Sequence, residues 1–129
     1  MKKYQQNKSI CVAVLSLTFM FVLINYVFAK DIHSTKEGGE WCKNSTWISG
    51  EIPGSNDNVT INGKVFVNCP AFADSMHINF DGLLIINETD SLQCHLIMLE
   101  EEGDKKGTIQ NNGIIIVTDK PEIKKEEEY

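Results

Sequence analysis

Val59-Thr60-Ile61-Asn62-Gly63-Lys64-Val65-Phe66-Val67 is the passage on which the fold turns: an alternating segment, an Asn-Gly pair, and a second alternating segment. β-Branched and aromatic residues at every second position favour strands with one buried face. Asn-Gly interrupts the run, because both residues tolerate turn conformations that most others avoid. The phrase returns twice. His77-Ile78-Asn79-Phe80 leads through Asp81-Gly82 into Leu83-Leu84-Ile85-Ile86, and Thr108-Ile109-Gln110 leads through Asn111-Asn112-Gly113 into Ile114-Ile115-Ile116-Val117. Gly63 and Gly82 are 19 residues apart, Gly82 and Gly103 are 21 apart, and Gly113 falls about half a period later. The fold class expected is all-β.

Two architectures accommodate the phrase. One is a short parallel β-solenoid of three to four coils with an N-terminal cap, each coil turning a corner at its glycine and stacking on the next. The alternative is an antiparallel β-sandwich or meander of hairpins, in which Asn-Gly and Asp-Gly supply the positive φ angles of type I′ turns. They separate at Val65, which faces Thr60 or Ile61 in a hairpin and lies beside residues near Leu84 in a stack. Leu92 to Glu102 is ambiguous in isolation. Leu92, Leu96 and Leu99 have helical spacing, but Glu100-Glu101-Glu102 would crowd a helix's negative end. Leu92, Cys94, Leu96 and Met98 alternate, so a strand is expected.

Outside this body the chain changes character. Residues 1–29 combine a basic leader (Lys2, Lys3, Lys8), an apolar run from Ile10 to Ile24, and Val27-Phe28-Ala29 at the position a signal peptidase reads. That is a signal peptide by its order, or an uncleaved anchor if the site is not cut. Residues 30–40 read as a flexible lead-in, 41–118 as the β-rich domain, and 119–129 as a charged, disordered tail.

Residues 30–129 carry all 18 acidic side chains against nine lysines, and the chain has no arginine. Such a balance repels phosphate backbones, so nucleic acid is excluded as a partner, and a membrane is one only if the leader stays attached. Beyond the leader's Cys11, three cysteines remain: Cys42, Cys69 and Cys94. In an oxidising compartment this means one bridge and one thiol. Cys42 with Cys69 is the candidate disulfide, with Cys69 to Cys94 an open alternative. The histidines are scattered and no Cys-x-x-Cys pair exists, so no metal site is expected.

The passage Trp47-Ile48-Ser49-Gly50-Glu51-Ile52-Pro53-Gly54-Ser55-Asn56-Asp57-Asn58-Val59-Thr60-Ile61 resembles the opening of secreted and cell-surface right-handed parallel β-helix proteins. It is also similar to the eight-glycine extracellular domain at the front of some large surface proteins. The later phrases, such as Phe80-Asp81-Gly82-Leu83-Leu84-Ile85, look like the coils that follow. The resemblance implies a fold and a compartment. It implies no activity, because lyases of this architecture use a basic residue, often arginine, near calcium and need a longer cleft.

Candidate ligand-binding residues are Trp47, whose ring offers a stacking surface for a sugar, and Asn56, Asp57 and Asn58, whose oxygens suit calcium. The competing accounts are a Trp47 plug at the end of the core and ordinary turn chemistry at 56–58. No cofactor other than calcium is implied. Cys94-His95 does not read as a nucleophile with its base, since neighbours on a strand point to opposite faces. The function expected is that of an exported, non-enzymatic β-rich module acting by surface contact, structural or adhesive, toward an extracellular glycan, a surface protein or another copy of itself. The alternative is a carbohydrate-binding or carbohydrate-active domain related to larger β-helix proteins.

Overall fold

A computed structural model describes residues 28–119; the predicted leader up to Val27 and the charged tail from Lys120 lie outside the described residues. The strands are β1 (Asp31–His33), β2 (Gly39–Glu40), β3 (Asn58–Ile61), β4 (Lys64–Val67), β5 (Ala71–Phe72), β6 (Ser75–Ile78), β7 (Leu83–Ile86) and β8 (Ser91–Cys94). They continue with β9 (Leu96–Leu99), β10 (Glu101–Glu102), β11 (Lys105–Lys106), β12 (Thr108–Asn111) and β13 (Ile114–Val117), and a single 3-10 turn spans Asn44–Thr46. The fold is all-β.

Three sheets carry the body: sheet I in the order β1-β3-β6-β9, sheet II in the order β2-β4-β7-β12, and sheet III in the order β5-β8-β13. Every pairing within them is parallel. The chain visits sheets I, II and III in turn, and each new strand lies beside the one laid down a circuit earlier. Val65 sits beside Leu84 and Val67 beside Ile86.

The antiparallel sandwich or meander is therefore not what forms, and the reason lies at the glycines. Among the described residues, positive φ is confined to Gly38, Gly39, Gly50 and Gly103, so Asn62-Gly63, Asp81-Gly82 and Asn112-Gly113 make no type I′ turns. What those glycines supply is absence of bulk. A Cβ on Gly82 would collide with the carbonyl oxygen of Ile61, and it would stand 3.0 Å from that of Asn79. Gly63 and Gly107 press in the same way on the carbonyls of Lys36 and Ile78. Leu83 N–H donates to the Gly63 carbonyl at 3.0 Å and Thr108 N–H to that of Gly82 at 3.1 Å, so these three glycines lie one behind another at the corner between sheets I and II. The repeat thus continues at Gly107, not Gly103, which turns the antiparallel β10–β11 hairpin inserted at that corner. Gly113 serves a different corner, between sheets II and III, which explains its half-period offset.

Alternation along each strand sends one column of side chains inward. In sheet I, Ile32, Val59 and Met76 align, and Ile97 follows them. Val65, Leu84 and Ile109 form the column of sheet II, and Ala71, Leu92 and Ile115 that of sheet III. All but the last member of each column are at most 2% exposed. Each large side chain so buried contributes roughly 1.5–3 kcal/mol. The corner between sheets I and II carries a polar ladder: Asn79 Nδ2 donates to Asn62 Oδ1, and Asn62 Nδ2 to the Ser34 carbonyl at 3.0 Å.

The polar lead-in at 30–40 is part of the first circuit, since it holds β1 and β2; short strands with one inward side chain, Ile32, leave almost no alternation to read. That circuit contributes no strand to sheet III. Residues 41–48 take its place. Trp41 and Trp47 are 1% and 2% exposed, with ring centroids 5.0 Å apart in an edge-to-face arrangement. Trp47 also forms an antiparallel bridge with Ser34, just past β1, and the Ile48 N–H donates to the His33 carbonyl at 2.9 Å, which engages the end of that strand's outer edge. The Cys42–Cys69 disulfide, with Cα atoms 6.5 Å apart, ties this end to the corner after β4. In the chain-entropy model a 27-residue closure contributes about 3.5 kcal/mol. The Leu92–Glu102 segment is strand as expected, but in three pieces, β8, β9 and β10. A corner at His95 resets the phase, so Leu92 and Cys94 point in while Leu96 and Met98 point out.

Candidate functional site

The expected ligand residues fall at the covered end and do not converge. Trp47 offers no ring face to a sugar: it is buried against Trp41, and its Nε1 donates to the Trp41 carbonyl at 2.8 Å. It is a plug. Asp57 accepts from the Gly54 and Lys30 backbone N–H groups at 2.8 and 3.1 Å, which closes a turn. Asn58 lies within β3, where its amide donates to Asp31 Oδ1 at 3.0 Å and its oxygen accepts from Ser75 Oγ at 2.7 Å. Asn56 is exposed beside them. The oxygens proposed for calcium thus serve turn and ladder, and among the described residues no group of three or more His, Cys, Asp or Glu is placed to hold a metal ion.

Cys42 and Cys69 are bonded as expected, and the Cys69 to Cys94 alternative is excluded. Cys94 is a free, buried thiol, and burial pushes its pKa up, away from the reactive thiolate. Its neighbour His95 turns the corner with Nδ1 3.3 Å from Asp74 Oδ1, so the two side chains do not meet as nucleophile and base. Native protein processed to remove residues 1–29, and with them Cys11, is therefore expected to resist iodoacetamide at pH 8 and to take up one equivalent at Cys94 only in denaturant. Mass spectrometry of the intact chain checks this, and rapid labelling under native conditions would contradict the burial.

Two surface features lie outside the expected ligand residues. The first is a groove of about 420 Å³ lined in part by Glu40, Lys43, Phe66, Asn68 and Asn87. Lys43 Nζ pairs with Glu40 at 2.7 Å, and that hydrogen bond holds the Glu40 carboxyl below its usual range. Lys64 Nζ sits 5.1 Å above the Phe66 ring. The groove joins residues 26 apart in the chain through the β2–β4 pairing (Glu40 beside Phe66), a proximity that only the circuit length could have disclosed.

The second feature is the last circuit, β9, β12 and β13. Its strands are the edges of all three sheets, and among the described residues no strand lies beyond them. Sheet II carries Phe66 and Ile85 in an outward column that ends in Gln110. On sheets I and III the earlier circuits present mostly polar side chains outward: Asn58, Thr60, Ser75 and His77 on sheet I, Ser91 and Gln93 on sheet III, with Phe72 the apolar exception. On the last circuit the same columns end in Leu96 and Met98, and in Ile114 and Ile116, all 44% exposed or more. The signal was present in the sequence, as runs lacking any charge, but outward and inward residues could not be separated without the register.

Compared with known protein families, curated proteins and solved structures, the chain gave no match in any of the three. Among the described residues no helix is long and apolar enough to cross a membrane.

Proposed function

We propose that the chain is a β-solenoid module, exported from the cell, that works by contact at its surface in a structural or adhesive role and catalyses no reaction. The observation that carries this reading is the change of the outward columns of sheets I and III from mostly polar to apolar on the last circuit, because exposed apolar patches mark places where another surface docks. The parallel stacking, Asp31 beside Asn58 beside Ser75 beside Leu96, supports the solenoid. The leader and the Cys42–Cys69 bridge support export to the surface or medium. The test is expression from Met1 in an exporting host. Product in the medium or on the surface, beginning near Lys30 and inert toward a panel of polysaccharides, is expected. Retention in the cytosol, or turnover of any polysaccharide by the purified chain, overturns the reading.

A second reading, carbohydrate binding, is favoured by the groove, since an aromatic side chain beside amide and carboxylate groups is suited to a sugar. Phe66, and not Trp47, is then the residue to change. Glycan binding abolished by Phe66→Ala with unfolding unaffected would support it over the first.

A further inference from the structure

We infer that the open end docks a second copy of this chain, end to end, about a two-fold axis that passes through β13. The inference rests on the contact reading above and names its partner. β9, β12 and β13 hold no charged residue, although 23% of the chain is charged, so two such ends meet without burying a charge. Backbone groups stand ready. Ile114 and Thr118 N–H donate back to β8 through the carbonyls of Asp90 and Cys94, so the intervening Ile115 and Val117 N–H groups point to the free edge.

The opposite end is the poorer acceptor, because its edge carbonyls are already engaged: Ile48 N–H donates to the His33 carbonyl at 2.9 Å, and the Thr46 hydroxyl donates to the Glu40 carbonyl at 2.7 Å. A head-to-tail filament is thereby disfavoured against the self-complementary arrangement of a two-fold. Around the end the strands run in the order β9, β10, β11, β12, β13. A two-fold lying in the plane of the end and passing through β13 reverses that order in the mate. β13 then meets its own copy antiparallel, and β9 meets the mate's β12. Within one copy Lys106 already pairs with Glu101 at 2.5 Å and Lys105 with Asp81 at 3.0 Å. The same operation sets the acidic hairpin strand (Glu101, Glu102) opposite the mate's basic one (Lys105, Lys106), so these pairs extend across the two-fold where the apolar edges meet. A two-fold through β9 or β12 loses the charge match. An acidic protein or an anionic membrane is a poorer occupant, since Asp and Glu outnumber Lys in the chain.

The chain, expressed from Met1 and purified in the processed form that accumulates, should sediment as a dimer whose mass stops rising with concentration. Val117→Pro removes the free-edge donor at 117 while leaving the bonds of Ile114 and Thr118, and should give a monomer with unchanged circular dichroism. Ile116→Lys should do the same from the outer face. The pair Glu101→Lys with Glu102→Lys, and separately Lys105→Glu with Lys106→Glu, should each be monomeric alone and dimeric when mixed. Four results would each overturn the inference: a monomer throughout, an open-ended polymer, a dimer indifferent to Val117→Pro, or dimerisation only after deletion of residues 120–129, which would make the tail the occupant. None of these bears on polysaccharide turnover, so the two readings fail separately.

Discussion

Gly82→Ala is expected to cost about 3 kcal/mol, at the upper end for a group forced into a packed site, and to lower the thermal midpoint by roughly 12–24 °C. The collision is with backbone on two sides, the Ile61 and Asn79 carbonyls, and neither oxygen can rotate away as a side chain would. Because Ile61 belongs to β3 and Gly82 to the corner before β7, relieving the clash means pushing one circuit off the next. Gly54→Ala is the control. Its added carbon meets only Asp57 Oδ2, at 3.5 Å, and its φ is not positive, so its midpoint should stay within a few degrees. Differential scanning calorimetry on the two variants decides the matter. Equal midpoints would mean that the corner relaxes and that its glycines are not fixed by close approach.

Trp47→Ala should be more damaging, at about 3–5 kcal/mol from lost burial and the void left behind. It also orphans the Trp41 carbonyl that the indole N–H satisfies. A body of this size has a total stability on the order of 5–14 kcal/mol, so the variant is expected to be partly unfolded at 37 °C or to fail export. Ile48→Ala, one residue away but 70% exposed, should change stability by less than ~0.5 kcal/mol. Urea unfolding followed by tryptophan fluorescence compares them, Trp41 remaining as the reporter. A Trp47→Ala protein with an unchanged urea midpoint would return Trp47 to the surface and with it the sugar-stacking role.

The β-rich class, the corner glycines and the bridge partner Cys69 were legible because each rests on local chemistry: period-two alternation, small residues at breaks, and cysteine arithmetic. The pairing itself was not. Asn62-Gly63 and Asp81-Gly82 carry the same letters whether a glycine is chosen for positive φ or for lack of a Cβ, and only the neighbouring circuit tells the two apart. The insertion of β10 and β11 shifted the third corner from Gly103 to Gly107, a displacement invisible to a fixed period. Trp47 and Asn56 to Asn58 were read as candidates for contact because aromatic and oxygen-bearing side chains suit both ligands and architecture. Burial and hydrogen bonding assign Trp47, Asp57 and Asn58 to architecture, while Asn56 stays at the surface. Of the exposed apolar side chains on the last circuit, Leu96 and Met98 went unrecognised for the converse reason: they look like core until a corner at His95 reverses which way they face.

The Gly107 N–H bonds the Glu100 carbonyl at 2.8 Å, so the β10–β11 excursion begins and ends at nearly the same point. Its length is therefore free of the stacking that fixes everything else, and each doubling of a closed loop adds only about 0.6 kcal/mol of entropy cost. Foreign peptides, an epitope tag or a fluorophore-bearing cysteine among them, are best grafted between Glu102 and Lys105, where the scaffold already tolerates a detour and would display the guest clear of its own walls.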